Sequence, residues 1–348
     1  MNFLSLHSIL CIFCTLFCTV MFFSSYLLNP YLFSIVFGIS LGSLSSCIFL
    51  PSLWIIWNWI TENKSVSSGI ILTGYNFGPI PFSILFTMLV NPHDHKASNE
   101  DSEGDNMFER NVAENVPMAL RVFSLSLLAC SWVGILLTPR KMRVSDSQTE
   151  EKKGKSLKEL LKNLRFWNLF FMMGLSITCQ GYTQTMYKAI ALNYINDDYF
   201  ATYVGIAAFF IGGIGRLVYG YLLNKYYWKK IMILVYFIET VLMLGLWFTL
   251  SDKSLYAFFI IFYNFNIGSF YNNALMLTEK SFPSDKKAIS FVCLSFVISF
   301  FVPYLMEKFI TPLIGYFLTF VIVAGFSFIL MLQAIFYKDE SEESLLEN

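Results

Sequence analysis

The sequence predicts an all-α membrane protein of about ten spanning helices, four before a basic linker and six after it. Three observations carry this. The 348 residues are 56% hydrophobic and 14% charged, with a mean hydropathy of +0.57, whereas about a quarter of a soluble chain is charged. No Lys, Arg, Asp or Glu occurs between Met1 and Thr61. The remaining cations are segregated by loop.

A hydrocarbon core of about 30 Å needs roughly 20 apolar residues as helix. The uncharged N-terminal run exceeds one span and divides at Asn29-Pro30, a turn dipeptide, which gives helices at 4–28 and 31–59. The first lacks the basic leader of a signal peptide and reads as a span. A polar break, Thr61 to Lys64, precedes a third helix at 66–90, and an acidic loop at 91–117 precedes a fourth at 118–138. These four make an N-terminal bundle over 1–138, and 139–165 is a basic linker. Six helices at about 166–192, 199–222, 229–250, 254–278, 287–306 and 311–337 make a C-terminal bundle over 166–338. Residues 339–348 form an acidic tail. Alternating the helices with the linker in the cytoplasm places seventeen loop cations inside and four (Lys96, Arg110, Lys253, Lys308) outside. That asymmetry is a positive-inside pattern.

All seven cysteines fall inside apolar segments, where small buried thiols are the ordinary occupants. Neither Cys11-x-x-Cys14 nor His93-Asp94-His95 has the further ligands a metal site needs, so no metal or cofactor is expected. Gly212-Gly213-x-Gly215 lies within a membrane helix and is no dinucleotide fingerprint.

The stretch Gly212 to Lys230, GGIGRLVYGYLLNKYYWKK, organises the rest. From Gly220 it follows the spacing G-x-x-x-(D/N)-(R/K)-x-G-(R/K)-(R/K), matched at Gly220, Asn224, Lys225 and Lys229, while Tyr227 and Trp228 depart from it. This loop resembles the signature between paired helices of major facilitator superfamily transporters. A second stretch, Trp57 to Pro92, is similar to the fourth-to-fifth-helix connection of the oxalate/formate antiporter and monocarboxylate-transporter-like branch. The similarity rests on Trp57, Trp59, Lys64, Ser68, Gly69, Gly74, Gly78 and Asn91-Pro92. The first helix here then corresponds to the family's third, so the expectation is a truncated or shortened member, four helices plus six instead of two sixes. Gly74-x-x-x-Gly78 also reads as a face for close helix packing.

Candidate binding residues follow from polarity at depth. Ser176, Gln180, Gln184 and Lys188 recur every four residues and follow one side of their helix with a drift of about 40° per step. Lys188 either meets the carboxylate of an anionic substrate or snorkels to the outer surface. Arg216 either binds an anion, as the resemblance implies for a basic residue of the eighth helix, or braces the motif loop. Helix 287–306 has no cation beyond its entry lysines, so the two-cation clamp of the oxalate/formate branch is not reproduced, which favours a monocarboxylate. Asn264 and Asn272, with Tyr263, Tyr271 and Asn273, either line a cavity or pack helices together through amide hydrogen bonds. Glu239, in mid-membrane, could carry a proton, but a structural hydrogen bond to a neighbouring helix is the preferred expectation.

The reading is a monomeric carrier, not an enzyme, that moves a small organic anion by alternating access with protons as the candidate coupling ion. The competing readings are a carrier of amino acids or other polar solutes and a non-transporting membrane scaffold.

Overall fold

The computed structural model describes residues 5–96, 99–100, 106–139, 157–282, 285–295 and 302–337. The basic linker falls mostly outside them, as does the acidic tail. The described chain is almost wholly helical: α1 Leu6–Ser24, α2 Pro30–Trp59, α3 Lys64–Phe77, α4 Pro79–Val90, α5 Arg110–Ala113, α6 Val116–Leu137, α7 Leu157–Lys162, α8 Leu164–Tyr194, α9 Asp198–Lys225, α10 Trp228–Leu246, α11 Lys253–Ile267, α12 Ser269–Ser281, α13 Lys286–Cys293 and α14 Thr311–Phe336. Asn99–Glu100 pairs with Asn106–Met107 as a short ribbon in the acidic loop.

Local chemistry sets the helix ends. Asn29 caps α2, accepting from the amides of Tyr31 and Leu32, with Pro30 at the first helical position, where its missing N–H costs nothing. Asp197 caps α9 by accepting from the Phe200 amide, and Asn196 makes the preceding turn with φ 52°, a conformation asparagine tolerates.

Among the described residues, seven helical stretches are long and apolar enough to cross a membrane: Leu6–Ser24, Pro30–Trp59, Lys64–Val90, Arg110–Leu137, Asp198–Lys225, Trp228–Thr249 and Val302–Phe336. Two further expected spans are helical but more polar, α8 and the α11–α12 pair. The expected span at 287–306 includes 296–301, which lie outside the described residues.

The structure corrects three expectations. The helix expected at 254–278 is interrupted at Gly268 into α11 and α12, whereas the third helix remains one span, Lys64–Val90, with helical backbone at Gly78 between α3 and α4. Gly74 and Gly78 do not form a tight seam, since a Cβ on Gly74 would meet nothing within 4 Å. Finally, the last reversal lies at Gly315 (φ 76°, ψ 166°), several residues beyond the expected loop. A straight helix would separate residues eight apart by about 12 Å, yet the Thr311 and Thr319 hydroxyls are 3.3 Å apart.

The core of buried side chains lies mainly among α8 to α14, with α2 contributing Leu53 and Trp57. Large hydrophobic residues facing outward, such as Leu136, Leu137, Phe248 and Leu313, are those a lipid-facing surface requires. Cys18, Cys179 and Cys293 are buried as expected, whereas Cys11, Cys14 and Cys47 are half-buried and Cys130 is exposed on the helix surface. Helix α9 is the axis of the assembly: α3, α4, α8, α11 and α12 all pack on it.

Candidate functional site

The α3–α4 span and the α11–α12 pair both meet α9 around Arg216. Their approach is closer than side chains allow. A Cβ on Gly215 would lie 2.3 Å from the Phe265 carbonyl oxygen, and one on Gly268 would lie 2.8 Å from the Arg216 nitrogen. Glycine at these positions lets backbone touch backbone. It brings Asn272 alongside Arg216, where the Asn272 Nδ2 donates to the Arg216 carbonyl at 3.0 Å.

The Arg216 side chain is 0% exposed. One guanidinium nitrogen donates to the Leu72 carbonyl of α3 at 3.0 Å. The other two, Nε and Nη2, have no hydrogen-bond partner. The guanidinium carbon lies 5.3 Å from the ring centres of both Tyr75 and Tyr271, a distance at which each ring face attracts a cation. Arg216 therefore faces α3 and ties α9 to it through the Leu72 carbonyl.

The same two tyrosines line a cavity of about 770 Å³ together with Gln180, Gln184, Glu307 and Tyr316. Its wall carries an amide relay. Gln180 Nε2 donates to Gln184 Oε1 at 3.0 Å, and Gln184 Nε2 donates to Asn264 Oδ1 at 3.1 Å. Gln180 Oε1 is left buried without a donor. Glu307 accepts from Tyr316 at 2.8 Å and from Thr311 at 3.2 Å.

The expected polar stripe is thus split. Gln180 and Gln184 reach the cavity, but Ser176 turns to the Tyr236 hydroxyl at 2.8 Å. Lys188 turns to Asp198, Thr87 and Thr202. Three steps of about 40° accumulate to about 120° of rotation, enough to send the two ends of the stripe to different neighbours. Lys188 does not simply snorkel: its Nζ lies 2.7 Å from Asp198 Oδ1. Glu239 is wholly buried and accepts from Tyr263 at 2.8 Å, the structural bond expected for it.

The motif loop ties N- and C-terminal helices together. Ser65 donates to the Gly220 carbonyl at 2.9 Å, Asn224 Nδ2 donates to Asn63 Oδ1 at 2.8 Å, and Lys64 pairs with Glu279. Lys229 donates to the Tyr337 carbonyl at 3.1 Å, and the Lys225 ammonium lies over the Tyr226 ring. In the acidic loop, His93 and His95 lie with ring centres 5.9 Å apart, and no group of three or more potential metal ligands converges among the described residues.

Sequence reasoning missed Tyr75, Thr87, Asp198, Thr202, Glu279 and Glu307. Aspartate at a helix start is an ordinary capping signal, and it hid the role of Asp198.

Comparison with known proteins agrees with this architecture. The family model of the Major Facilitator Superfamily matches residues 3–302. Apicoplast pyruvate carrier 1 of Toxoplasma gondii is 24% identical over 58% of this chain and 44% of its own length. The chain therefore spans less than half of that curated relative. The solved outward conformation of the transporter FucP superposes with a TM-score of 0.63 at 16% identity, covering 97% of this chain and 84% of that one. The nucleoside transporter NupG superposes with a TM-score of 0.56 at 16% identity, covering 96% and 84%. The buried polar residues around Arg216, the multi-pass helical fold and the extent of the family match lead to one assignment: the chain is an integral membrane protein of the Major Facilitator Superfamily, a family of secondary transporters.

Proposed function

We propose that this carrier moves a small monocarboxylate, with Arg216 as its anion-binding group and alternating access of two helix bundles as its mechanism. The observation that carries the reading is the Arg216 guanidinium, wholly buried with two nitrogens lacking partners. A charge removed from water is normally paired or neutralised, and a carboxylate is the ligand whose two oxygens match the guanidinium fork. Tyr75 and Tyr271 join that cation to the cavity lined by Gln180 and Gln184. The similarity to a pyruvate carrier points the same way. Arg216 is the one wholly buried cation among the described residues, which favours one carboxylate, while Lys308 beside Glu307 lines the cavity wall; protons are the coupling ion the reading implies. Asn264 and Asn272 position Gln184 and the Arg216 backbone, while Ser176 and Lys188 belong to neighbouring contacts.

Proteoliposome uptake of pyruvate, lactate, formate, oxalate and a neutral amino acid tests this, with and without an inward proton gradient. The expected result is saturable pyruvate or lactate uptake stimulated by the gradient, with oxalate a poor competitor. Uptake of the amino acid alone would overturn it. One observation favours that second reading, transport of a polar solute bearing a donor: Gln180 Oε1 is a buried acceptor with nothing to accept from, which a hydroxyl or ammonium would satisfy.

A further inference from the structure

At the outer end of α8 and α9, Lys188 sits between an internal carboxylate and an open cavity. Its Nζ lies 2.7 Å from Asp198 Oδ1 and donates to Thr202 at 3.0 Å and Thr87 at 3.4 Å. The other Asp198 oxygen accepts from Asn91 Nδ2 at 3.0 Å, and the Thr87 and Thr202 hydroxyls are 3.1 Å apart. Asn91 and Thr87 belong to the end of the α4 segment, Asp198 and Thr202 to α9. The ion pair itself joins α8 to α9, and Asn91 and Thr87 attach the end of α4 to it, bringing an N-terminal helix against two C-terminal ones on this side. Asp198 is 5% exposed and Asn91 1%, whereas the Lys188 side chain is 33% exposed.

The exposed part of Lys188 faces a second cavity of about 670 Å³, lined by Phe82, Phe86, Phe123, Thr87 and Thr202. Lys188 is the one charged side chain on that wall among the described residues. A carboxylate in this cavity would find a cation, the Thr87 hydroxyl and an apolar floor, the Thr202 hydroxyl being donated to the Asp198 carbonyl at 3.0 Å. Asp198 already holds the cation.

We propose that Lys188 forms a second monocarboxylate site whose resident counterion is the chain's own Asp198. An entering anion takes over the Lys188 ammonium. Asp198 then loses its partner in a buried position, which disfavours the closed arrangement and releases the Asn91 and Thr202 contacts between α4 and α9. The site is thus an anion-released latch, and the cavity's phenylalanines favour monocarboxylates with a small apolar body over dicarboxylates. The proposal rests on the anion-carrier reading above.

The test uses the full chain in liposomes with pyruvate as probe. Asp198→Asn keeps side-chain volume but removes the competing charge. If Asp198 occupies Lys188 about nine-tenths of the time, half-saturation from outside falls about tenfold in this variant. Adding Lys188→Gln abolishes the gain. In the unmodified protein, saturating pyruvate raises amide hydrogen exchange around Asn91 and in the first turn of α9, and Lys188→Gln removes that response. Unchanged or weaker pyruvate binding by a folded Asp198→Asn variant overturns the proposal. So does an unmodified carrier whose exchange at these segments ignores pyruvate, a measurement that stands even if the variant fails to fold. Failure of the substrate reading is distinguishable, because the unmodified protein would then show neither pyruvate uptake nor any response dependent on Arg216, and both proposals fall together.

Discussion

Replacing Arg216 by methionine separates a ligand-binding arginine from a structural one. In the unliganded protein the guanidinium gains two ring contacts, about 2 kcal/mol each where desolvated, and one charged hydrogen bond of about 2 kcal/mol. Against these about 6 kcal/mol stands a desolvation penalty of several kcal/mol for an ion with no counter-charge. The terms nearly cancel. Methionine fills similar space without a charge, so Arg216→Met should leave the apparent melting temperature in detergent within about 3 °C of the parent, or raise it. Pyruvate at a hundred times its dissociation constant should stabilise the parent by about 2.7 kcal/mol, roughly 5 °C at about 2 °C per kcal/mol. That shift should vanish in the variant together with uptake. Differential scanning fluorimetry and proteoliposome uptake on the same preparations give both readouts. A variant that loses more than about 8 °C, yet whose folded fraction still transports and still responds to pyruvate, would show that Arg216 braces the helices and that the anion binds elsewhere.

Three other outcomes follow from the packing and the charges. Gly215→Ala sets a methyl 2.3 Å from the Phe265 carbonyl oxygen and should destabilise by about 1–3 kcal/mol, while Gly74→Ala meets nothing within 4 Å and should be neutral within about 0.5 kcal/mol; thermal unfolding of the two side by side checks the contrast. The Lys253 ammonium, donating to Asp197 at 2.6 Å, holds that carboxyl below its usual value, aided by the Phe200 amide. Its contribution is therefore present above the ordinary value of 3.8 and is lost as pH falls below it, so Asp197→Asn should lower stability at pH 7 and flatten the acid-side decline in a pH series of melting curves. Glu239→Gln keeps an oxygen that can accept from Tyr263 and should preserve pyruvate exchange in the absence of a proton gradient. A tenfold loss of exchange would give Glu239 a direct part in transport.

Much of the scaffold was legible because membrane spans are written in long apolar runs, and loop cations such as Lys64, Lys225 and Lys229 give each turn a sign. The capping residues Asn29 and Asp197 fall where their chemistry predicts. The site was less legible, for geometric reasons. A polar stripe of period four looks like one face on paper, but the helix repeat rotates Ser176 and Lys188 to different neighbours. Gly268 interrupts α11 and α12 with no proline or turn dipeptide to announce it. It is glycine because the Arg216 nitrogen and the Gly212 carbonyl oxygen, 2.8 and 3.0 Å from where its Cβ would stand, leave no room. A constraint imposed by a residue fifty positions away leaves no local trace.

Partner identity, which a sequence does not record, also decides which cation matters. Lys64, Lys188 and Arg216 are each one basic residue near or within the membrane when read along the chain. Folded, Lys64 meets Glu279 and Lys188 meets Asp198, so both charges are answered within the protein and hold helices together at opposite ends of α9. Arg216, between them and more deeply buried than either, meets two aromatic rings and a carbonyl but no carboxylate among the described residues. An interior charge balance that closes at both ends of a helix and stays open in its middle is what the proposed anion would complete. Because Lys64–Glu279 joins α3 to α12, and Asn91 and Thr87 attach the end of α4 to the Lys188–Asp198 pair, a solute bound at Arg216 would sit between the contacts whose alternate release would let it enter on one side and leave on the other.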